Sequence, residues 1–171
     1  MIELQIGEGV EGGGAAAARV NTVLGDRNGP VGAAWVSALA RPVQGHAPFV
    51  IAARPGLMVK PPTLFVNTST LASEEHAALT WGAAQAGVAA AVLECVATNV
   101  IPADVADQSV LIAAVWVDPS ATAAHQDAIF ANNRVAAIAA ITSGAAGRPT
   151  AAEVVFDIED GGAFFNPFYQ P

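Results

Sequence analysis

Two polar side chains interrupt a stretch that otherwise reads as a buried strand. In GGGAAAARVNTVLG, residues 12–25, Arg19 and Asn21 stand two apart. The two-residue period of a strand sets them side by side with Val23, while Ala18, Val20, Thr22 and Leu24 take the other face. A guanidinium keeps its proton at neutral pH, so Arg19 can donate hydrogen bonds and stabilise negative charge but cannot release a proton usefully. Asn21 can serve neither as a carboxylate base nor as a countercharge. Proton transfer near neutrality is histidine chemistry, and the chain holds His46, His76 and His125. His46 lies in the loop QGHAP, the kind of segment that catalytic groups often occupy. His76 and His125 fall in the first turns of helices among polar neighbours and read as solvated surface residues. The single cysteine, Cys95, reads as a small buried apolar residue rather than a nucleophile.

Other chemistries lack their motifs. The sequence has no GxxxxGK[ST] phosphate loop, no HExxH zinc pair and no GxSxG nucleophile elbow. GEGVEGGG has GxGxxG-like spacing, but it separates two strands rather than opening a helix, which argues against a dinucleotide site. Asp104 and Asp107 in PADVAD read as loop and cap residues.

The elements that must position these groups follow from pattern. IELQI alternates as a first strand, GEGVEGGG reads as a flexible turn, and AARVNTVLG is the second strand. After the GDRNGP loop, Pro30 opens a short helix that Pro42 prevents from continuing. HAPFVIAARP is predicted as a third strand and TLFVNTS as a fourth. Ser73 or Thr70 caps a long helix that begins with Glu74 and Glu75 and runs to about Ala97. The NVIPADVAD loop ends it, and SVLIAAVWVD, almost wholly apolar, is a central fifth strand. Asp118 and Pro119 are expected to start a helix through Ile129, Arg134 and Ile141 that stops near Ser143 and Gly144. AAEVVFDI is a candidate last strand, and the aromatic tail DGGAFFNPFYQP is expected to pack on a neighbouring subunit. The order predicts an α/β (α+β) fold: a mixed sheet with helices packed on one face, one domain over residues 1–171.

Composition narrows the class of partner. Charged residues make up 13% of the 171 and hydrophobic ones 53%, with a net charge of −8. So little charge leaves apolar surface to be covered, which predicts a homo-oligomer. The six arginines and Lys60 form no cluster, so nucleic acid is not an expected partner. One cysteine fits a reducing cytoplasm, and the acidic start MIELQIGEG does not read as a signal peptide. Residues 78–97 imitate a membrane span, but Gln85, Glu94 and the many alanines fit a buried interface helix better.

Read end to end, the chain resembles the formaldehyde-activating enzyme family. The matching stretches stand in order: IGEGVEG, VLGDRNGP, ARPGLMVKPPTLFVN, TWGAAQAGVAAAV, NVIPADVADQSVLIAAVW, VAAIAAITSG and RPTAAEVV. The resemblance implies a fold like the second domain of ribosomal protein S5 and pentamers with sites between subunits. It implies condensation of formaldehyde with tetrahydromethanopterin to give methylene-tetrahydromethanopterin and water. Tetrahydromethanopterin is then a co-substrate, and no tightly bound cofactor or metal is involved. In methylotrophs this reaction detoxifies formaldehyde and feeds its oxidation.

In that family the second strand carries a catalytic histidine and, two residues on, an aspartate; Arg19 and Asn21 occupy these positions. The pterin-contacting positions fall on Val50, Thr68, Thr70 and Gln85, with Thr68 where a lysine is usual. Three functions are therefore in view. The first is formaldehyde condensation with His46 or a water as the acid. The second is non-catalytic binding of a pterin or other one-carbon carrier, and the third is a structural partnership with an active relative.

Overall fold

The computed structural model describes residues 3–159. The anticipated last strand falls within that range, whereas the aromatic tail from residue 160 lies outside it. Strand β1 spans Gln5–Glu11, β2 Ala18–Asp26, β3 Phe49–Val50, β6 Thr63–Asn67 and β7 Ser109–Val117. They form one sheet in the order β1-β2-β7-β6-β3. Only β6 and β7 pair parallel; the other neighbours are antiparallel. As expected from its apolar run, β7 is the central strand. Residues 46–55, anticipated as one strand, divide instead. Ile51 separates β3 from β4 (Ala52–Arg54), which makes a separate hairpin with β5 (Leu57–Met58).

One face of the sheet is dry. Ala18, Val20, Phe65, Leu111, Ala113, Val115 and Val117 are buried there under two helices, α3 (Gln85–Ala97) and α5 (Gln126–Ala145). The close approach of α5 explains Gly7 and Gly9 of GEGVEGGG, which are part of β1 rather than a turn. Gly12 and Gly14, beyond the strand, have φ +72° and +59°, the left-handed conformation that a turn expects. A Cβ at Gly7 would stand 1.7 Å from the Ala140 carbonyl oxygen, and one at Gly9 1.9 Å from that of Ala136. At these two positions glycine serves contact between a strand and a helix backbone, not turning.

The other face is largely open. Ile6, Glu8 and Val10, then Arg19, Asn21 and Val23, then Ile112, Ala114 and Trp116 are half-buried or exposed. Helix α1 (Pro30–Ala40) opens at Pro30 as expected, and Val31 sits against Gly25 at one end of this face. The long helix begins at Ser73, whose hydroxyl accepts the His76 main-chain N–H. It comprises α2 (Glu74–Leu79), a wide π turn over Thr80–Ala84, and α3. Glu74–Ala97 is long and apolar enough to cross a membrane, yet half of it is buried inside the fold, as a core helix is.

Three further elements differ from the sequence expectation. PADVAD contains a short helix, α4 (Ala103–Gln108). Asp118 caps only a turn, accepting from both the Ser120 N–H and hydroxyl; these bonds hold its carboxyl below the usual aspartate value. The following helix starts later, where Thr122 and His125 cap each other's backbone. AAEVVFDI is helical, as α6 (Ala151–Glu159). Thr150 and Glu153 explain that: each side chain takes the other's main-chain N–H in a capping box.

Candidate functional site

The end of the sheet where β6 and β7 terminate gathers the polar groups. Arg19 pairs across the ladder with Trp116 and Asn21 with Ala114. The Arg19 guanidinium lies 5.7 Å from the Trp116 ring centroid, a cation–π arrangement. Asn21 is exposed beside it. Past the last β6–β7 pair, Asn67 with Val115, the main-chain N–H of Thr68 donates to the Val115 carbonyl at 2.8 Å and its hydroxyl at 3.2 Å. Thr68 thus continues the row that holds Arg19 and Trp116.

A second group lies in the loops just beyond. His46 Nδ1 is 2.8 Å from the Asn67 main-chain oxygen. A carbonyl only accepts, so Nδ1 carries the proton and Nε2 of the neutral ring is left as an acceptor. That Nε2 faces the Thr70 hydroxyl at 3.4 Å. A third group lies between α3 and the β4–β5 hairpin. Val50, Arg54, Trp81 and Gln85 line a depression of about 410 Å³ there.

Within one chain the seven anticipated residues therefore fall into three groups: Arg19, Asn21 and Thr68; His46 and Thr70; Val50 and Gln85. Sequence reasoning missed Trp116, whose partnership with Arg19 depends on strand register. It also missed Asn67, although strand alternation through Thr63 and Phe65 puts Asn67 on the buried side.

Several other titratable groups have structural roles. His76 is fully buried rather than solvated. Its Nδ1 accepts the Ala72 N–H at 3.1 Å and its Nε2 bonds the Val117 carbonyl at 3.1 Å, tying the start of α2 to the end of β7. Tertiary packing of α2 on that strand end buries a helix face that its polar neighbours made look wet. Cys95 is buried as expected, and desolvation, with Glu94 nearby, pushes its thiol up to about 11. Such a thiol is not a nucleophile at neutral pH. Glu94 is engaged by Arg134. Among the described residues no three His, Cys, Asp or Glu side chains are grouped as metal ligands.

Fold and site together define an α/β domain with its polar groups collected at the carboxyl ends of its parallel strand pair, where open sheets commonly take small ligands. The profile of the formaldehyde-activating enzyme family matches residues 6–162, and the chain belongs to that family. It is 37% identical over 155 residues to a 5,6,7,8-tetrahydromethanopterin hydro-lyase of Methanosarcina barkeri, covering 91% of this chain and 86% of that one. It is also 36% identical over 154 residues to a bifunctional enzyme Fae/Hps of Methanothrix thermoacetophila, covering 90% of this chain but 39% of the relative. A bifunctional enzyme Fae/Hps of Archaeoglobus fulgidus is 38% identical over 125 residues, 73% of this chain and 32% of its own. The chain spans two-fifths or less of these bifunctional relatives.

Proposed function

We propose that this chain condenses formaldehyde with a reduced pterin of the tetrahydromethanopterin type, with His46 as the proton-transfer group. The observation that carries this is the His46 ring, anchored through Nδ1 on Asn67 with Nε2 turned to Thr70. Thr70 is a position that the family resemblance gives to the pterin. In the reaction an amine nitrogen adds to the formaldehyde carbon, giving a hydroxymethyl adduct. Protonated at Nε2, His46 delivers that proton to the adduct's hydroxyl, which leaves as water. The nitrogen lone pair forms an iminium, the second pterin nitrogen attacks its carbon, and the proton that nitrogen sheds returns the imidazole to its starting state. Arg19 contributes a fixed positive charge and hydrogen-bond donors on the open face, where Asn21 and Thr68 supply further polar contacts.

The same reading takes the protein to be a cytoplasmic self-assembling oligomer, a homopentamer with sites completed between subunits. The exposed apolar side chains Leu4, Ile6 and Val10 on the open face and Val154, Val155 and Phe156 on α6 support self-association.

A second reading is binding of the one-carbon carrier without turnover. Arg19 over Trp116 favours it, because a guanidinium in the catalytic strand position cannot cycle a proton. Thermal shifts with tetrahydromethanopterin, tetrahydrofolate and formaldehyde, followed by methylene-pterin formation against the spontaneous background, separate the readings. Stabilisation by the pterin with a rate above background supports condensation. Stabilisation without added rate supports carrier binding, and a flat response to all three contradicts both.

A further inference from the structure

Building on the reading that His46 transfers the proton, we propose that Asn67 is a positioning residue that sets the His46–Thr70 pair. Asn67 ends β6 and is buried. Its Nδ2 donates to the Gly45 carbonyl and to the Ser69 carbonyl, each at 2.8 Å. Those carbonyls belong to the residues that immediately precede His46 and Thr70. One amide therefore holds the loop that carries the imidazole and the loop that carries the hydroxyl. Its own main-chain oxygen accepts His46 Nδ1–H and fixes the tautomer.

The clamp is referred to the rigid sheet from one side and closed tightly on the other. Thr68 donates to Val115, and the Ser69 hydroxyl donates to the Val117 carbonyl at 3.1 Å, so the Thr68–Thr70 segment is fixed to β7. On the other loop, Gly45 has φ +79°, a conformation that favours glycine, and a Cβ there would lie 3.0 Å from Thr70 Cγ2. The two loops come so close that even a Cβ would press on Thr70. Both Nδ2 protons of this buried amide are used to hold that contact, while its Oδ1 has no hydrogen-bond partner among the described residues.

Asn67→Asp tests this with almost no change of shape. A carboxylate donates to neither carbonyl, and a protonated one to only one of them, so the loops lose their common anchor. The measurement is the nitrogen-15 NMR signature of the His46 ring in the full chain, with His76 and His125 as internal references. Wild type is expected in the Nδ1–H form. In Asn67→Asp the His46 signature should move to the mixed or Nε2–H form of free imidazole while His76 keeps its own. The condensation rate should fall tenfold or more. Gly45→Ala should shift the same signature by pushing on Thr70, and it carries the test if Asn67→Asp does not fold. An unchanged His46 signature in the folded variant, or an Nε2–H form in wild type, overturns the proposal. If wild type shows no condensation but the His46 signature responds, the clamp stands and the catalytic reading fails.

Discussion

Gly9→Ala probes the contact between β1 and the α5 backbone. Its Cβ would stand 1.9 Å from the Ala136 carbonyl oxygen, against a 3.0 Å limit that real Cβ atoms essentially never breach, leaving about 1.1 Å to be found. The obstructing atom is helix backbone, so no side chain can swing aside, and α5 must lift from β1. That helix contributes Ile129, Ala136, Ala137, Ala140 and Ile141 to the core. A gap of about 0.5–1 Å already forfeits roughly a quarter to a half of the dispersion energy between facing atoms. The expected cost is about 2–3 kcal/mol, in the upper part of the overpacking range. For a chain of this size that corresponds to a fall in Tm of roughly 4–12 °C. Urea unfolding at one fixed protein concentration measures it, since assembly would otherwise move the midpoint. Because Gly7→Ala asks for the same displacement of α5, the double variant should cost less than the two singles together. A Gly9→Ala protein within about 0.5 kcal/mol of wild type, the range of an innocuous surface change, would refute the packing argument.

Three further outcomes follow from particular bonds. His76→Leu leaves the Ala72 N–H and the Val117 carbonyl without their buried partner, and should destabilise by about 2–3 kcal/mol in thermal unfolding; a neutral result would contradict its structural role. Glu153 is held below the ordinary glutamate value, first by the Thr150 main-chain N–H, then by the Thr150 hydroxyl and Arg148. Its contribution to α6 is therefore fully present above the ordinary value and lost as pH falls through the lowered one. Residue-resolved NMR should show α6 fraying only in that acidic window, and Glu153→Gln should blunt the pH response. Cys95, with its thiol pushed up to about 11, should react with iodoacetamide at pH 8 far more slowly in the native protein than in urea. Equal rates would show that the site opens.

Much of the frame is legible in local pattern. Alternation locates β2 and puts Arg19 and Asn21 on one face; an apolar run identifies β7 as central; Ser73 and Pro30 mark helix starts. What escapes depends on neighbours distant in sequence. The glycines of β1 look like turn residues because nothing local reveals the α5 backbone lying on them. His76 looks solvated because its burial comes from β7, 41 residues away. The α6 start was readable, since TAAE has capping-box spacing, but the β-branched pair after it suggests a strand. At the site, His46 stood out by its loop, whereas Asn67 and Trp116 acquire meaning only through hydrogen bonds and register across the sheet.

The central claim rests on His46 and is tested most directly by single-turnover formation of the methylene-pterin at saturating pterin, corrected for the spontaneous reaction. Wild type, His46→Gln and Arg19→Ala are compared under identical conditions. Loss of a general acid typically costs about 10²- to 10⁴-fold, so His46→Gln should fall to or near background while Arg19→Ala stays well above it. A wild-type rate equal to background, or a His46→Gln protein as fast as wild type, would contradict the account.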